Sequence, residues 1–145
     1  FSKSQKPNAN CYLCPMSSKK TLSNREAIEE FVNTFYGRVQ QDELIGPIFN
    51  KKLEGRWPEH LDKMYRFWET ILTEKVTYQG RPFPPHLAMD LHTEHFERWL
   101  GIFLETISDY EGPEAEEAWR RANMMASTFL YKIEHFRDPK AFPIQ

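Results

Sequence analysis

The chain has 145 residues, with 19 Lys and Arg against 21 Asp and Glu and a formal net charge of -2. That length points to one domain, in which roughly 68–70% of the unfolded chain's surface can be buried. The near-balance of charge makes nucleic acid and anionic membrane poor partners. No apolar run approaches the ~18 residues of a membrane span, and residues 1–10 lack the apolar centre of a signal peptide. A cytoplasmic protein is expected. The aromatic content is high, with 11 Phe, 6 Tyr and 4 Trp. Such residues make a well-packed core, or a cavity shaped for a planar ligand.

Phe1–Leu22 is rich in Ser, Lys, Asn and Pro and has no apolar period, so residues 1–22 are expected to be a flexible tail. The tail carries Cys11-Tyr12-Leu13-Cys14. Covalent haem attachment needs a histidine next, and Pro15 stands there instead. No second cysteine pair exists to complete a zinc site. Cys11 and Cys14 are therefore ordinary thiols or a candidate redox pair.

A capping box at Ser23–Glu26 predicts the first helix start. Ile28, Phe31, Val32, Phe35, Tyr36 and Val39 then form one apolar stripe. Gly46-Pro47 breaks the helix, leaving Ile48-Phe49 as an apolar corner. A second helix is expected from Pro58, a residue suited to a first helical position. His60, Met64, Phe67, Trp68 and Ile71 share one of its faces. Thr73–Pro85 holds Gly80, Pro82, Pro84 and Pro85, through which no long helix passes. His86–Leu91 has room for one short turn. A third helix follows from Thr93, and a fourth from Gly112-Pro113 to just before Pro139, with His135 in its last turn. The body is expected to span residues 23–138, with a C-terminal tail at 139–145. No segment alternates with period two, so the fold is all-α.

The five histidines are His60, His86, His92, His95 and His135. A helix histidine is more often surface or core than ligand. His86 stands apart, because Phe83-Pro84-Pro85 gives it a rigid approach and a metal-binding imidazole needs a fixed ring. His60 lies on an apolar helix face, either as a satisfied core residue or as a polar group facing a ligand. His92 and His95 have half-site spacing only. Tyr36 and Trp99 point inward and need partners for their O–H and N–H. Those partners are backbone carbonyls or a bound ligand.

Together these residues resemble the group III truncated haemoglobins. The resemblance runs from Ser23 to His135 through Phe35-Tyr36, Gly46-Pro47-Ile48-Phe49, Trp57-Pro58-Glu59-His60 and Phe67-Trp68. It continues in Tyr78-Gln79-Gly80-Arg81-Pro82, His86-Leu87, His95-Phe96-Glu97-Arg98-Trp99-Leu100 and Arg121-Ala122. It implies a two-over-two helical sandwich around haem b, with His86 as the proximal iron ligand. Tyr36, His60 and Trp99 correspond to the polar distal residues. Phe49, Lys63, Met64, Phe67 and Trp68 correspond to positions against the porphyrin. The N-terminal tail with its cysteines lies outside the family pattern.

A proximal histidine leaves the sixth iron position open to oxygen, nitric oxide or carbon monoxide. A distal pocket with several donors favours tight binding or oxygen chemistry over delivery. Nitric oxide dioxygenation is the first reaction implied, and peroxidase-like chemistry the second. Either needs an external reductase, because the chain has no flavin or nicotinamide motif. The rivals are a haem-free helical interaction module, a non-haem metal site built on His86, His92 and His95, and a sensor.

Overall fold

The computed structural model describes residues 19–140. Cys11 and Cys14 lie outside the described residues. Six helices run in the order α1 (Arg25–Gln41), α2 (Gly46–Lys52), α3 (Trp57–Leu72), α4 (Pro84–Leu87), α5 (Thr93–Ile107) and α6 (Pro113–Arg137). Among the described residues there is no strand, only an isolated bridge between Lys20 and Tyr110. The fold is all-α, as the periodicities predict. α1 packs on α3 and α5 on α6, and the two pairs are joined where α1 meets α5 and α3 meets α6. This is the two-over-two sandwich.

Three starts and boundaries differ from expectation. α1 is capped by Asn24, not Ser23: the Asn24 side chain accepts from the Ala27 N–H at 2.9 Å. The body also begins earlier than residue 23. Lys20 donates its N–H to the Asp109 carbonyl and accepts from the Glu111 N–H, and Leu22 is fully buried in the core. A two-bond bridge and one anchoring leucine carry no period, so composition alone reads them as tail. Finally, the apolar corner at Ile48-Phe49 is helical. Pro47 starts α2 rather than preventing it, since its fixed φ suits the first turn.

The α1–α2 corner is built by Asp42 and Gly46. One Asp42 oxygen accepts from the Leu44 and Ile45 N–H groups, and the other from Arg98 on α5 at 2.7 Å. Gly46 sits so close to α1 that a Cβ there would lie 2.9 Å from the Gln40 carbonyl oxygen. The corner thus turns Phe49 back toward Tyr36.

Phe103 is the hub of the core and is fully buried. Its ring meets Phe31 at 5.2 Å, Phe35 at 5.3 Å, Trp99 at 5.4 Å and Trp68 at 5.5 Å between centroids. These contacts join α1, α3 and α5. α6 presents Ala115, Ala118, Ala122 and Ala126 inward, and these short side chains let it approach closely. Beyond Ala126 the stripe widens to Phe129, and there a cavity opens.

The segment from Thr73 to Phe83 is tied to α3 before it reaches His86. The Thr70 hydroxyl accepts from the Thr77 and Tyr78 N–H groups, each at 2.9 Å. The Thr77 hydroxyl donates to Glu69 at 2.8 Å, and Arg25 donates to the same carboxylate oxygen at 3.0 Å. Glu69 is only 4% exposed. Its charge is held by Arg25 and Thr77 rather than by water.

Candidate functional site: an aromatic cavity lined by His60 and His86

A cavity of about 600 Å³ opens between α1–α3 on one side and the 78–96 segment with α6 on the other. That volume lies in the range of small-molecule and cofactor sites. Tyr36, Phe49, His60, Lys63, Met64, Phe67, Trp68, His86 and Trp99 all line it. The sequence thus leads to one cavity from five separate helices.

His86 stands in the single turn of α4, which Pro84 and Pro85 start. Its Nδ1–H donates to the Pro82 carbonyl at 2.8 Å. A carbonyl only accepts, so this bond fixes the tautomer and leaves Nε2 with a free lone pair. The ring lies 5.0 Å from that of Phe129 on α6, and Phe129 also contacts Phe83 at 5.2 Å. Burial lowers the His86 pKa, against the raising effect of the hydrogen bonds to Pro82 and Phe83. A neutral, oriented imidazole with a free nitrogen is what a metal ligand requires.

His60 lies one turn into α3. Its Nε2 is buried and has no hydrogen-bond partner. Burial is the main cause that lowers its pKa to about 4, with Lys63, His86 and Arg56 adding to the effect. The ring meets Tyr36 edge-on at 5.1 Å and Trp57 at 5.9 Å. Tyr36 is itself buried, its ring set against Phe35 at 4.9 Å and Phe49 at 6.1 Å. Burial pushes its phenol pKa well above the usual value. Neither the Tyr36 hydroxyl nor the Trp99 indole N–H has a protein hydrogen-bond partner among the described residues. The plain alternative, a backbone carbonyl for each, is therefore not realised. A buried polar group without a partner costs about 1–3 kcal/mol; His60 Nε2 is such a group, and with the Tyr36 hydroxyl and the Trp99 N–H open to the cavity the three suit a ligand that lies between them.

His92 does not line the cavity, whereas His95 lines its edge as well as serving the helix start. His92 Nε2 contacts Asp90 at 2.7 Å, and the His92 N–H donates to His95 Nδ1 at 2.9 Å. Both serve the start of α5. Among the described residues no cluster of three or more metal-binding groups exists, which leaves the non-haem metal site without support. His135 stacks on Tyr131 in α6 at 6.2 Å and is not among the residues lining the cavity.

Sequence reasoning missed Phe129 as the ring behind His86, because that contact spans 43 positions and has no local signature. It also missed Glu69, a carboxylate in an apolar helix that spacing alone assigns to the surface. The basic residues at the mouth, Lys52, Arg56, Arg66 and Arg81, were legible only as solvated charges.

Helices stacked two over two, with a cavity lined by aromatics and by the neutral His60 and His86, define the globin class. A family model described as bacterial-like globin matches residues 20–131. The group 3 truncated hemoglobin ctb of Campylobacter jejuni is 35% identical over 117 residues, covering 75% of this chain and 92% of that protein. The crystal structure of a group III truncated hemoglobin from Campylobacter jejuni superposes with a TM-score of 0.71 at 32% identity, covering 79% of this chain and 94% of that one. The chain belongs to the bacterial-like globins and is a group III truncated haemoglobin. It is thus of the haem-binding, gas-ligand class. No helix among the described residues is long and apolar enough to cross a membrane.

Proposed function

We propose that this globin holds haem b through His86 and binds diatomic gases beneath Tyr36, His60 and Trp99, for oxygen or nitric oxide chemistry rather than oxygen delivery. The observation that carries this reading is the His86 ring, with Nδ1 committed to Pro82 and Nε2 free in a cavity of cofactor size. When bound, haem b supplies an iron with one open position and the capacity to change oxidation state.

The chain's own residues supply the rest. Pro82, Pro84 and Pro85 stiffen the approach to His86, and Phe129 backs its ring. Phe49, Met64, Phe67 and Trp68 exclude water from the faces of a planar ligand. Lys63 sits exposed at the edge, where a carboxylate of the ligand would find it. Tyr36 and Trp99 each present a donor hydrogen toward the gas-binding side, and His60 adds a neutral imidazole. Several donors slow the release of a bound polar diatomic, which suits turnover better than transport. Nitric oxide dioxygenation, giving nitrate, is the reaction this favours. An external reductase would restore the ferrous state.

Titration of the apoprotein with haemin tests the reading. One equivalent is expected to give a sharp Soret band, and reduction under carbon monoxide a single shifted band. Failure to develop either would leave a helical interaction module as the better account.

A further inference from the structure

The charges lining the cavity are all of one sign. Lys52, Arg56, Lys63, Arg66 and Arg81 line it, and no Asp or Glu does. Composition does not force this, since acids outnumber bases in the chain, 21 to 19. Arg66 is paired with Asp62 at 3.0 Å. Arg56 bonds only to the Lys52 carbonyl, at 2.6 Å. Lys52, Lys63 and Arg81 have no ion-pair partner among the described residues. Lys51 extends the patch beside a shallower depression that it shares with Lys52 and His95. The one acid there, Asp90, is occupied by His92 and Arg137.

The opposite sign collects elsewhere. Between residues 99 and 119 the chain carries Glu105, Asp109, Glu111, Glu114, Glu116 and Glu117 and no Lys or Arg. None of residues 100–124 lines the cavity. Glu117 is paired with Arg120 and Arg121, and Glu105 lies 3.9 Å from Arg38, so the acidic contrast to the basic mouth rests on Asp109, Glu111, Glu114 and Glu116.

We propose that the basic mouth, centred on Lys51, Lys52, Arg56 and Arg81, is the docking surface for an acidic electron-donor protein. This rests on the haem reading above. The pair of carboxylates carried by haem b accounts for part of the positive charge, and more unpaired cations surround the mouth than that pair neutralises. The surplus is exposed and spread over α2, α3 and the loop before α4. A site for a small anion converges on buried donors; a rim of separate exposed cations matches an extended surface of carboxylates. Such a rim orients a partner and raises its association rate. The transfer moves one electron from the partner's reduced flavin to ferric iron, and no bond is made or broken.

The test uses the ferric haem-loaded protein and an acidic flavodoxin as probe. Reduction by photoreduced flavodoxin is expected to slow at least about tenfold between low and high salt, as screening shortens the field. Reduction by neutral lumiflavin is expected to be insensitive to salt. Lys51→Glu is expected to slow the flavodoxin reaction about fivefold at low salt and Lys51→Ala about twofold, with lumiflavin rates unchanged. Amide shifts on adding oxidised flavodoxin are expected at residues 48–56 and 81. Salt-independent flavodoxin reduction, or shifts confined to residues 105–117, would overturn the docking surface. A preparation that forms no Soret band fails before either donor is added, which marks failure of the haem reading instead.

Discussion

The Nδ1–H of His86 donates to the carbonyl of Pro82 at 2.8 Å, so a rigid proline loop decides which imidazole nitrogen stays free. That loop is clasped in turn to α3 through Thr77, Thr70 and Glu69. The loop that leads to His86 is thus anchored to α3, and Phe129 backs the ring.

The clasp is open to mutation. Glu69→Ala removes the buried acceptor of both Arg25 and Thr77 and is expected to destabilise the protein by about 2–4 kcal/mol. The Arg25 side chain is one-third exposed and recovers some hydration, which keeps the cost below that of a wholly buried pair. Thr77→Val is expected to cost about 1 kcal/mol. Urea unfolding of the two variants checks both values, and equal stabilities would show that the clasp is slack.

Tyr36→Phe separates ligand contacts from folding. The hydroxyl has no partner among the described residues and is open to the cavity, so its removal leaves no buried group unpaired. The apoprotein is expected to change by less than about 0.5 kcal/mol in urea unfolding. The loaded protein is expected to release oxygen at least about tenfold faster by stopped flow. A loss of apoprotein stability would show that the hydroxyl serves the fold.

His60 predicts how apoprotein stability depends on pH. Its pKa in the folded chain falls to about 4, mainly through burial, against about 6.5 when unfolded. Between these values the unfolded chain binds a proton that the folded one refuses, so stability falls as pH drops from 6.5 to 4. Above 6.5 the group contributes no slope. His60→Leu is expected to flatten that stretch of the stability profile, and a parallel profile would refute the assignment.

Two small substitutions locate the true start of the body. Asn24→Ala is expected to cost about 1 kcal/mol through loss of the cap, while Ser23→Ala stays within about 0.5 kcal/mol. Leu22→Ala is expected to cost about 2–5 kcal/mol, as for other fully buried leucines. Thermal unfolding of the three variants reads the order directly.

The helices that stand out in the sequence are those with a long apolar period. Phe31, Phe35, Phe67, Phe103 and Ala122 recur at helical spacing because each faces the core, and α1, α3, α5 and α6 follow from them. α2 is hidden because Gly46-Pro47 reads as a breaker, although the glycine permits close approach and the proline starts a helix. His86 is legible because three prolines precede it. Its tautomer and its backing by Phe129 are not, since both depend on how the loop folds over α6. The one-signed charge of the mouth is likewise a property of the folded surface, not of any segment.

The central claim is that His86 holds the haem. The direct test is the ferrous absorption spectrum of a His86→Gly variant, recorded with and without added imidazole. Loss of the Soret band in the variant, restored by imidazole, is the result the account predicts. A band of undiminished intensity without imidazole would contradict it and assign the iron to another residue.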